Sequence, residues 1–188
     1  FYSLIISTDV VINELMPKNY VTAMDEEGKY EDWIELYNTS GLTVDLSGYY
    51  LSDDFTDPNK WTFPAGTTIA AGAYLIVWCD QDTMDTGLHT NFKLASGGET
   101  LVLSNTLGFA VNQVTYPEIE SSATYGRYVN GTGEFIRMVP TYSAANSYSA
   151  LGVDEEVIAS SISIYPNPTS DFIYIVTNQN TAVDYVLY

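Results

Sequence analysis

Short apolar runs separated by turn residues form the dominant pattern of this chain. Residues 33–37 alternate, so Ile34 and Leu36 are predicted on one face of a strand and their three neighbours on the other. The run Tyr74–Trp78 is apolar without a break, which predicts a central strand covered on both faces. The remaining predicted strands of this region are Val10–Met16, 44–51, 61–63, 99–103, 111–116 and 125–127.

Clusters of Gly, Asn, Asp and Ser separate these strands. Short strands at roughly ten-residue spacing, with turn chemistry between them, predict an all-β sandwich. Gly48, Gly72 and Gly98 fall at predicted strand ends, where a positive φ or a close backbone approach is needed. Leu101 and Leu103 are predicted to face the same core. Few helical signals interrupt this pattern.

The C-terminal part carries a different motif, Tyr165-Pro166-Asn167-Pro168. Each proline fixes φ near −65° and lacks an N–H, so these four residues leave a sheet as a rigid extended corner. An ordinary proline-rich β-turn is the alternative interpretation. Apolar residues at 162–164 and an alternating run at 172–176 predict a strand on either side, and a further strand is predicted at 183–188.

This arrangement resembles the C-terminal sorting domain of proteins exported through the bacterial type IX secretion system. The resemblance implies that Tyr165, Pro166, Asn167 and Pro168 are an export signal recognised by the secretion machinery. It also implies removal of this domain by a surface sortase. The protein is therefore expected to be secreted or attached to the cell surface after export across the bacterial outer membrane. Family members usually continue beyond the position of Tyr188, so we expect a truncated sorting domain.

Nine motifs, in sequence order across residues 10–146, resemble those of a lamin tail domain. They are Ile12-Asn13-Glu14, 32–38, 45–53, 60–64, 69–72, 88–94, 98–101, 125–127, and Pro140-Thr141 before Ala145-Asn146. The resemblance implies an immunoglobulin-like β-sandwich whose shared residues serve packing and turns, that is, a scaffold without an active site. Tyr142 stands where the bacterial pattern usually completes Thr-Pro-Gly, which leaves the path of the last strand open.

Four segments follow from these patterns. Residues 1–9 are a cut end or lead-in strand, 10–146 the lamin tail domain, 147–160 a Ser- and Ala-rich linker, and 161–188 the partial sorting domain, a second small β domain. The length of 188 residues suits one sizeable core and a smaller unit. The first residues are apolar but lack the basic region of a signal peptide, so we expect an internal cut in a longer, processed protein.

Charge narrows the classes of partner. Six Lys and Arg stand against 24 Asp and Glu, which gives a net charge of −18 and disfavours nucleic-acid binding. An acidic surface suits solubility outside the cell and attracts divalent cations. No apolar run approaches the roughly 18 residues of a membrane span. The single cysteine, Cys79, excludes an intrachain disulfide.

Candidate catalytic residues are few. Cys79 ends an apolar strand and is predicted to be a small buried residue. His89, the single histidine, is predicted at a strand edge, bonded to a nearby backbone group, because one histidine has no evident partner set for zinc. A Cys–His dyad would require these two residues to meet. Carboxylate-pair hydrolysis stays open, since 24 acids always contain pairs, but none is singled out. We predict no catalytic, cofactor-binding or metal-binding residue.

Acidic loops and aromatic residues leave two binding hypotheses. Residues 25–27, 53–57 and 80–85 are acidic stretches in predicted loops, and calcium takes clustered loop oxygens; a solvated acidic surface is the alternative. The tryptophans are predicted to pack in the core or on a sheet face. For a sugar-stacking patch the candidates are Tyr49, Tyr50, Tyr116 and Tyr125.

Three functions are consistent with the sequence. The favoured one is a non-catalytic accessory, binding or spacer module of a secreted, cell-surface protein, with a surface protein or polysaccharide as its ligand. The second is a calcium- or carbohydrate-binding β-sandwich. The third is an accessory domain of a larger secreted nuclease or phosphatase whose catalytic domain lies outside this chain.

Overall fold

The structure, a computed structural model, describes residues 9–121 and 123–147 and the backbone of two later strands. The chain divides into two compact units, Phe1–Tyr148 and Ser149–Tyr188. Every regular element in these described parts is a β-strand. The described residues contain no helix long and apolar enough to cross a membrane. The described residues are therefore all-β, as predicted.

The first unit contains a five-stranded antiparallel sheet. Its strands are β1 (Val10–Met16), β2 (Trp33–Asn38), β7 (Tyr74–Trp78), β10 (Thr124–Tyr128) and β11 (Glu134–Met138). The order across the sheet is β11-β10-β1-β2-β7, so the first strand among the described residues lies at its centre. Strand β11 is not among the predicted strands.

A second sheet has four strands and faces the first. It contains β4 (Tyr50–Ser52), β5 (Trp61–Thr62), β8 (Gly98–Ser104) and β9 (Ala110–Pro117), in the order β5-β4-β8-β9. A short separate pair joins β3 (Val44–Asp45) to β6 (Thr68–Ile69). Strands β8 and β9 form the longest hairpin of this unit.

The core lies between these sheets. Ile12, Ile34 and Leu36 of the first sheet are fully buried in one apolar cluster with Leu101 and Leu103 of the second. Burying a side chain of this size contributes about 1.5–3 kcal/mol. Two antiparallel sheets around one apolar layer make an immunoglobulin-like β-sandwich, which confirms the predicted fold class.

The outer face of the first sheet carries a smaller apolar cluster. Met16, Trp33 and Trp78 are buried there, and Tyr142 packs against them with its ring centroid 5.4 Å from that of Trp33. The predicted alternation of β2 is thus confirmed, because Ile34 points into the sandwich and Trp33 points away from it.

One predicted strand is broken by a turn. Residues 44–51 form β3 and β4 with a reversal between them, where the Asp45 carboxylate accepts the Ser47 N–H at 2.8 Å. The Tyr49 N–H donates to the Leu46 carbonyl at 3.0 Å, and Gly48 has φ +74°. The prediction of one strand was wrong because the apolar residues on both sides of this turn conceal it.

The predicted central position of β7 was also wrong. The strand lies at the edge of the five-stranded sheet, and its first three residues are half-buried. Its unbroken apolar sequence has another cause, since Val77 faces the core while Ile76 and Trp78 pack against the outer cluster. Apolar cover on both faces does not require a neighbouring strand on both edges.

The glycine prediction is confirmed at the three positions. Gly48, Gly72 and Gly98 have φ values of +74°, +65° and +97°. At Gly98 an added Cβ would lie 2.5 Å from the Tyr116 carbonyl oxygen, so the β8–β9 hairpin needs glycine there for space as well as conformation.

The second unit contributes one described hairpin. Strands β12 (Ile162–Tyr165) and β13 (Tyr174–Thr177) pair antiparallel, with Ile162 opposite Thr177 and Tyr165 opposite Tyr174. Residues 1–8, the linker after residue 147 and the strand predicted at 183–188 lie outside the described residues. The four segment boundaries stay predictions.

Candidate functional site

The predicted sorting motif is described in part. Tyr165 is the last residue of β12. Pro166, Asn167 and Pro168 lie outside the described residues. The role of these four residues as an export signal stays a prediction.

Three aspartates and the single histidine meet where two loops of the first unit approach each other. One ligand atom each from Asp25, Asp80, Asp85 and His89 lies within 4.8 Å of the others. Asp25 belongs to the loop between β1 and β2, whereas the other three belong to the segment after β7. We call these four residues the aspartate–histidine cluster. It is a candidate metal site, since carboxylates and imidazole are common metal ligands.

His89 is buried and held at both ring nitrogens. Its Nδ1 lies 2.7 Å from Asp80 Oδ2, and its Nε2 lies 3.0 Å from the Thr86 carbonyl oxygen. Burial has the largest influence and lowers the pKa of His89, but the hydrogen bonds to Asp80 and Thr86 and the charges of Asp80 and Glu26 together outweigh it, so the pKa is raised. The bond to Thr86 agrees with the predicted contact to a nearby backbone group.

Asp25 has one engaged and one unengaged oxygen. Its Oδ1 accepts the N–H groups of Glu27 at 3.0 Å and Lys29 at 2.7 Å, which fixes the loop. Its Oδ2 is buried and has no hydrogen-bond partner among the residues that the structure describes. In contrast, the Asp85 Oδ2 pairs with the Lys29 ammonium at 2.6 Å. A buried oxygen without a partner is rare in folded proteins and calls for an explanation.

The sequence did not show this convergence. It placed the acids of 25–27 and 80–85 in separate loops, and both runs contribute to the cluster. The third run, which contains Asp53, lies elsewhere and pairs with Lys60 at 2.6 Å. The structure adds that Asp25 and Asp80 each cap a turn through their Oδ1, which leaves their second oxygen for another partner.

A second set of buried polar residues lies under the last segment of the first unit. Glu14 and Glu35 are opposite each other on β1 and β2, and both are fully buried. Glu14 accepts the Thr124 hydroxyl at 2.5 Å and the Thr141 hydroxyl at 2.7 Å. Glu35 accepts the Ser143 N–H at 2.7 Å. These bonds hold the segment that follows β11 against the sheet.

Two asparagines complete this network. The Asn146 amide donates to the carbonyl oxygens of Asn13 and Arg127 at 3.1 and 2.8 Å, and its Oδ1 accepts from the Asn13 amide. Asn13 also donates to Glu35 Oε1 at 2.9 Å. We call the five residues Asn13, Glu14, Glu35, Thr141 and Asn146 the latch. All five belong to the motifs that carried the lamin-tail resemblance. Their hydrogen bonds fix the path of residues 140–146 along the first sheet, which the sequence left open.

The two carboxyl groups of the latch have raised pKa values but are inaccessible to solvent. Burial raises the pKa of Glu35 to about 8, and the negative charge of Glu14 adds to this effect. Burial also raises the pKa of Glu14. Each carboxyl oxygen of the pair accepts a hydrogen bond from the protein. A catalytic acid pair needs access for its substrate, and this pair has no exposed surface.

A surface cleft of about 310 Å³ lies beside the loop between β1 and β2. Its lining includes Lys18, Tyr20, Tyr30, Glu31, Asp32 and Lys93. Tyr20 is 62% and Tyr30 is 40% exposed, which leaves both rings available to a ligand. Burial raises the pKa of Asp32 to about 7. The cleft therefore combines aromatic faces with charges of both signs.

Comparison with protein families decides the classification. The model of the Lamin Tail Domain family matches residues 7–118, which is more than half of the chain. The chain belongs to the lamin tail domain family. No curated protein matches it. The match ends before β10, yet β10 pairs with β1, so residues beyond the matched range complete the same sheet.

The tryptophans of this lamin tail domain pack in the core or against the outer face of the first sheet. Trp33, Trp61 and Trp78 are all buried, as predicted. Tyr116 was expected in an exposed patch, which was wrong: it is 2% exposed, and its hydroxyl donates to Glu99 at 2.7 Å. An alternating strand does not indicate which face is covered, and β9 buries this one.

Cys79 is fully buried in the lamin tail domain, as predicted. Its thiol lies 3.8 Å from the Val77 carbonyl oxygen, and burial raises its pKa well above the ordinary value. The ring nitrogens of His89 contact Asp80 and Thr86 instead. These contacts do not form the Cys–His dyad that the sequence left open.

Proposed function

We propose that this lamin tail domain is a non-catalytic binding or spacer module of a larger secreted protein at a bacterial cell surface. The observation that carries the proposal is that the two carboxyl groups of the latch are fully buried and hydrogen-bonded to the protein. Glu14 and Glu35 are a facing pair of acids with raised pKa values, the arrangement that hydrolysis by a carboxylate pair uses. Glu14 instead accepts the Thr141 hydroxyl, and Glu35 accepts the Ser143 N–H. The module therefore contributes a stable sandwich and its surface, not a reaction.

The motif Tyr165 to Pro168 supports export by the type IX secretion machinery. We propose that the machinery recognises this motif, that a surface sortase cleaves within 147–160, and that the lamin tail domain remains outside the cell. A net charge of −18 suits an exported protein that must stay soluble. No resident cofactor is required for this role.

Export is tested with the full chain expressed in a bacterium that has a type IX system. Replacing Pro166 and Pro168 by alanine removes the rigid corner, so the variant is expected to stay in the periplasm while the wild type reaches the surface without its C-terminal epitope. A chain with Pro58→Ala and Pro64→Ala is the matched control and is expected to be exported. Equal export of both variants, or an intact C-terminus on the surface protein, contradicts the proposal.

The cleft favours a polysaccharide as the ligand of the module. Sugars stack on exposed tyrosines, and Tyr20 and Tyr30 offer such rings beside the carboxylates and ammonium groups of the cleft. Removing one ring is expected to weaken binding about tenfold.

Binding is measured by affinity electrophoresis against a panel of neutral and acidic polysaccharides. Tyr20→Ala is compared with Phe109→Ala, which removes a ring of similar exposure outside the cleft lining. Retardation lost in Tyr20→Ala alone supports this ligand. No retardation of the wild type, or equal loss in both variants, rejects it and favours a surface protein as the partner.

The third function differs only in the neighbouring domain. As an accessory to a secreted nuclease or phosphatase, the lamin tail domain would have the same non-catalytic role. Incubation of the chain with DNA and with phosphate monoesters is therefore expected to give no turnover above buffer. Turnover that disappears in Glu35→Gln would contradict the non-catalytic proposal directly.

A further inference from the structure

We propose that the aspartate–histidine cluster binds a divalent metal ion of the class that accepts imidazole as well as carboxylate ligands, such as Zn²⁺ or Mn²⁺. The ligand atoms of Asp25, Asp80, Asp85 and His89 lie within 4.8 Å of one another. Ligand atoms around a tetrahedral ion at about 2.1 Å stand roughly 3.4 Å apart. The cluster therefore matches the size of a metal site with small side-chain movements.

An independent observation directs a cation to Asp25. The residue is 7% exposed, and within the described part of the chain its Oδ2 has no hydrogen-bond partner. Its Oδ1 already accepts from the Glu27 and Lys29 amides, so the carboxylate is fixed by the loop and cannot easily turn away. A buried oxygen left without a partner destabilises a protein by about 1–3 kcal/mol. A bound cation supplies the missing partner.

The surrounding charges favour the same ligand. Glu26 and Glu27 also have an oxygen close to His89, which brings the carboxylates around the ring to five. The cations in ion pairs with this group, among the residues that the structure describes, are Lys29 and His89 itself. Gly87 permits this crowding, because an added Cβ would lie 2.9 Å from Glu26 Oε1. The negative excess raises the local concentration of cations.

His89 distinguishes the class of metal. Calcium takes six to eight oxygen ligands, whereas zinc and manganese accept imidazole together with carboxylates. In the metal-free chain, His89 Nδ1 and Asp80 Oδ2 are 2.7 Å apart and share a hydrogen bond. An ion bound by both groups takes the place of that proton, which passes to solvent. The ion would also join the loop between β1 and β2 to the segment after β7.

Metal binding is measured by calorimetry on the full chain, without a histidine tag and after treatment with a chelator, with Zn²⁺, Mn²⁺ and Ca²⁺ as separate titrants. The wild type is expected to bind one Zn²⁺ or Mn²⁺ per chain. Asp25→Asn keeps the Oδ1 acceptor of the loop but loses the charge, so the Kd is expected to rise at least about tenfold. His89→Gln is expected to have a similar effect.

Asp45→Asn is the matched control, because Asp45 also caps a turn through Oδ1 but lies outside the cluster. Its Kd is expected to stay within about twofold of the wild type. Equal weakening in Asp25→Asn and Asp45→Asn would indicate diffuse attraction by the acidic surface and overturn the proposal. Absence of saturable binding of Zn²⁺ and Mn²⁺ below about 1 mM would overturn it as well.

A spectroscopic readout tests the role of the imidazole. The chain has one histidine, so the two ring ¹⁵N signals cannot be confused with those of another histidine. Diamagnetic Zn²⁺ is expected to shift them, and Asp45→Asn is expected to preserve the shift. Zinc binding that leaves both ring signals unchanged, or tighter binding of Ca²⁺ than of Zn²⁺ and Mn²⁺, would indicate a site of oxygen ligands alone and contradict the proposed class. Neither measurement depends on export or on polysaccharide binding.

Discussion

The latch and the aspartate–histidine cluster both gather acids from distant parts of the chain, but their hydrogen bonding differs. In the latch, both oxygens of Glu14 and both oxygens of Glu35 accept bonds from the protein. In the cluster, one oxygen of Asp25 is buried and accepts no hydrogen bond from any described residue. The latch joins the last segment of the sandwich to a sheet, whereas the cluster joins two loops.

This difference separates a structural polar network from a candidate binding site. A fully satisfied network stabilises one arrangement of the chain and leaves nothing for a ligand. An incompletely satisfied group destabilises the free protein and is expected where a ligand completes it. Burial or a shifted pKa alone does not make this distinction, because the most shifted carboxyl of the two regions, Glu35, belongs to the latch.

The largest effect is expected from breaking the latch with Asn146→Ala. The change removes four side-chain contacts and leaves the amide of Asn13 and the carbonyl of Arg127 short of a partner. We expect a loss of about 2–4 kcal/mol in the free energy of unfolding. Urea unfolding followed by tryptophan fluorescence measures it, because all three tryptophans are buried in the first unit.

Asn59→Ala is the control for this prediction, since Asn59 is an exposed residue. Its free energy of unfolding is expected to stay within about 0.5 kcal/mol of the wild type. Equal losses in the two variants would mean that the latch does not stabilise the sandwich.

A smaller effect, spread over pH, is expected from Glu35. Its pKa is raised from 4.5 to about 8 in the folded chain, so between these values the folded state holds a proton that the unfolded state has released. The stability that this group contributes is therefore fully present below pH 4.5 and falls as the pH rises to about 8, by at most about 1.4 kcal/mol per pH unit. Urea midpoints at pH 5, 6, 7 and 8 measure the slope.

Glu35→Gln is expected to reduce that slope, and Glu118→Gln, at an exposed position, is expected to keep it. Part of the slope remains in Glu35→Gln because the pKa values of Glu14 and Asp32 are raised as well. The slope is the quantity compared, since the amide also loses one acceptor for the Ser143 N–H. An unchanged slope in Glu35→Gln would contradict the assignment.

The smallest effect, and one of opposite sign, is expected from Asp25→Asn in the absence of metal. The amide replaces an unpartnered buried oxygen with a donor that faces other carboxylates, while Oδ1 keeps its bonds to the loop. We expect the metal-free chain to become more stable by about 1 kcal/mol. A loss of stability comparable to that of Asn146→Ala would show that the two regions do not differ as described.

Sequence reasoning reached the fold because the fold rests on local patterns. The alternation around Ile34 and Leu36 and the glycines at 48, 72 and 98 each express a requirement of their own strand or turn. The family motifs then supplied the order of these elements. The two errors have different causes. A turn divides 44–51 between apolar residues that conceal it, whereas Tyr74–Trp78 is covered on both faces although it lies at the sheet edge.

The candidate site was not predictable in the same way. Asp25 and His89 meet because the loop between β1 and β2 approaches the segment after β7, and this approach follows from the pairing of β2 with β7. The composition did indicate attraction of divalent cations, and the acidic runs at 25–27 and 80–85 indicated two of the loops where they could bind. The membership of the site, and the presence of a nitrogen ligand in it, required the tertiary contacts.

By itself, the sequence determined an acidic all-β chain with one histidine and one cysteine, together with a lamin-tail order of strands and a separate C-terminal motif. These properties are composition and near-neighbour periodicity, which each segment carries alone. The tertiary structure decided which acids have both oxygens hydrogen-bonded and which have an oxygen that accepts no bond from the described residues. That outcome depends on hydrogen bonds between residues more than a hundred positions apart, such as the bond from Thr141 to Glu14, and no local pattern encodes them.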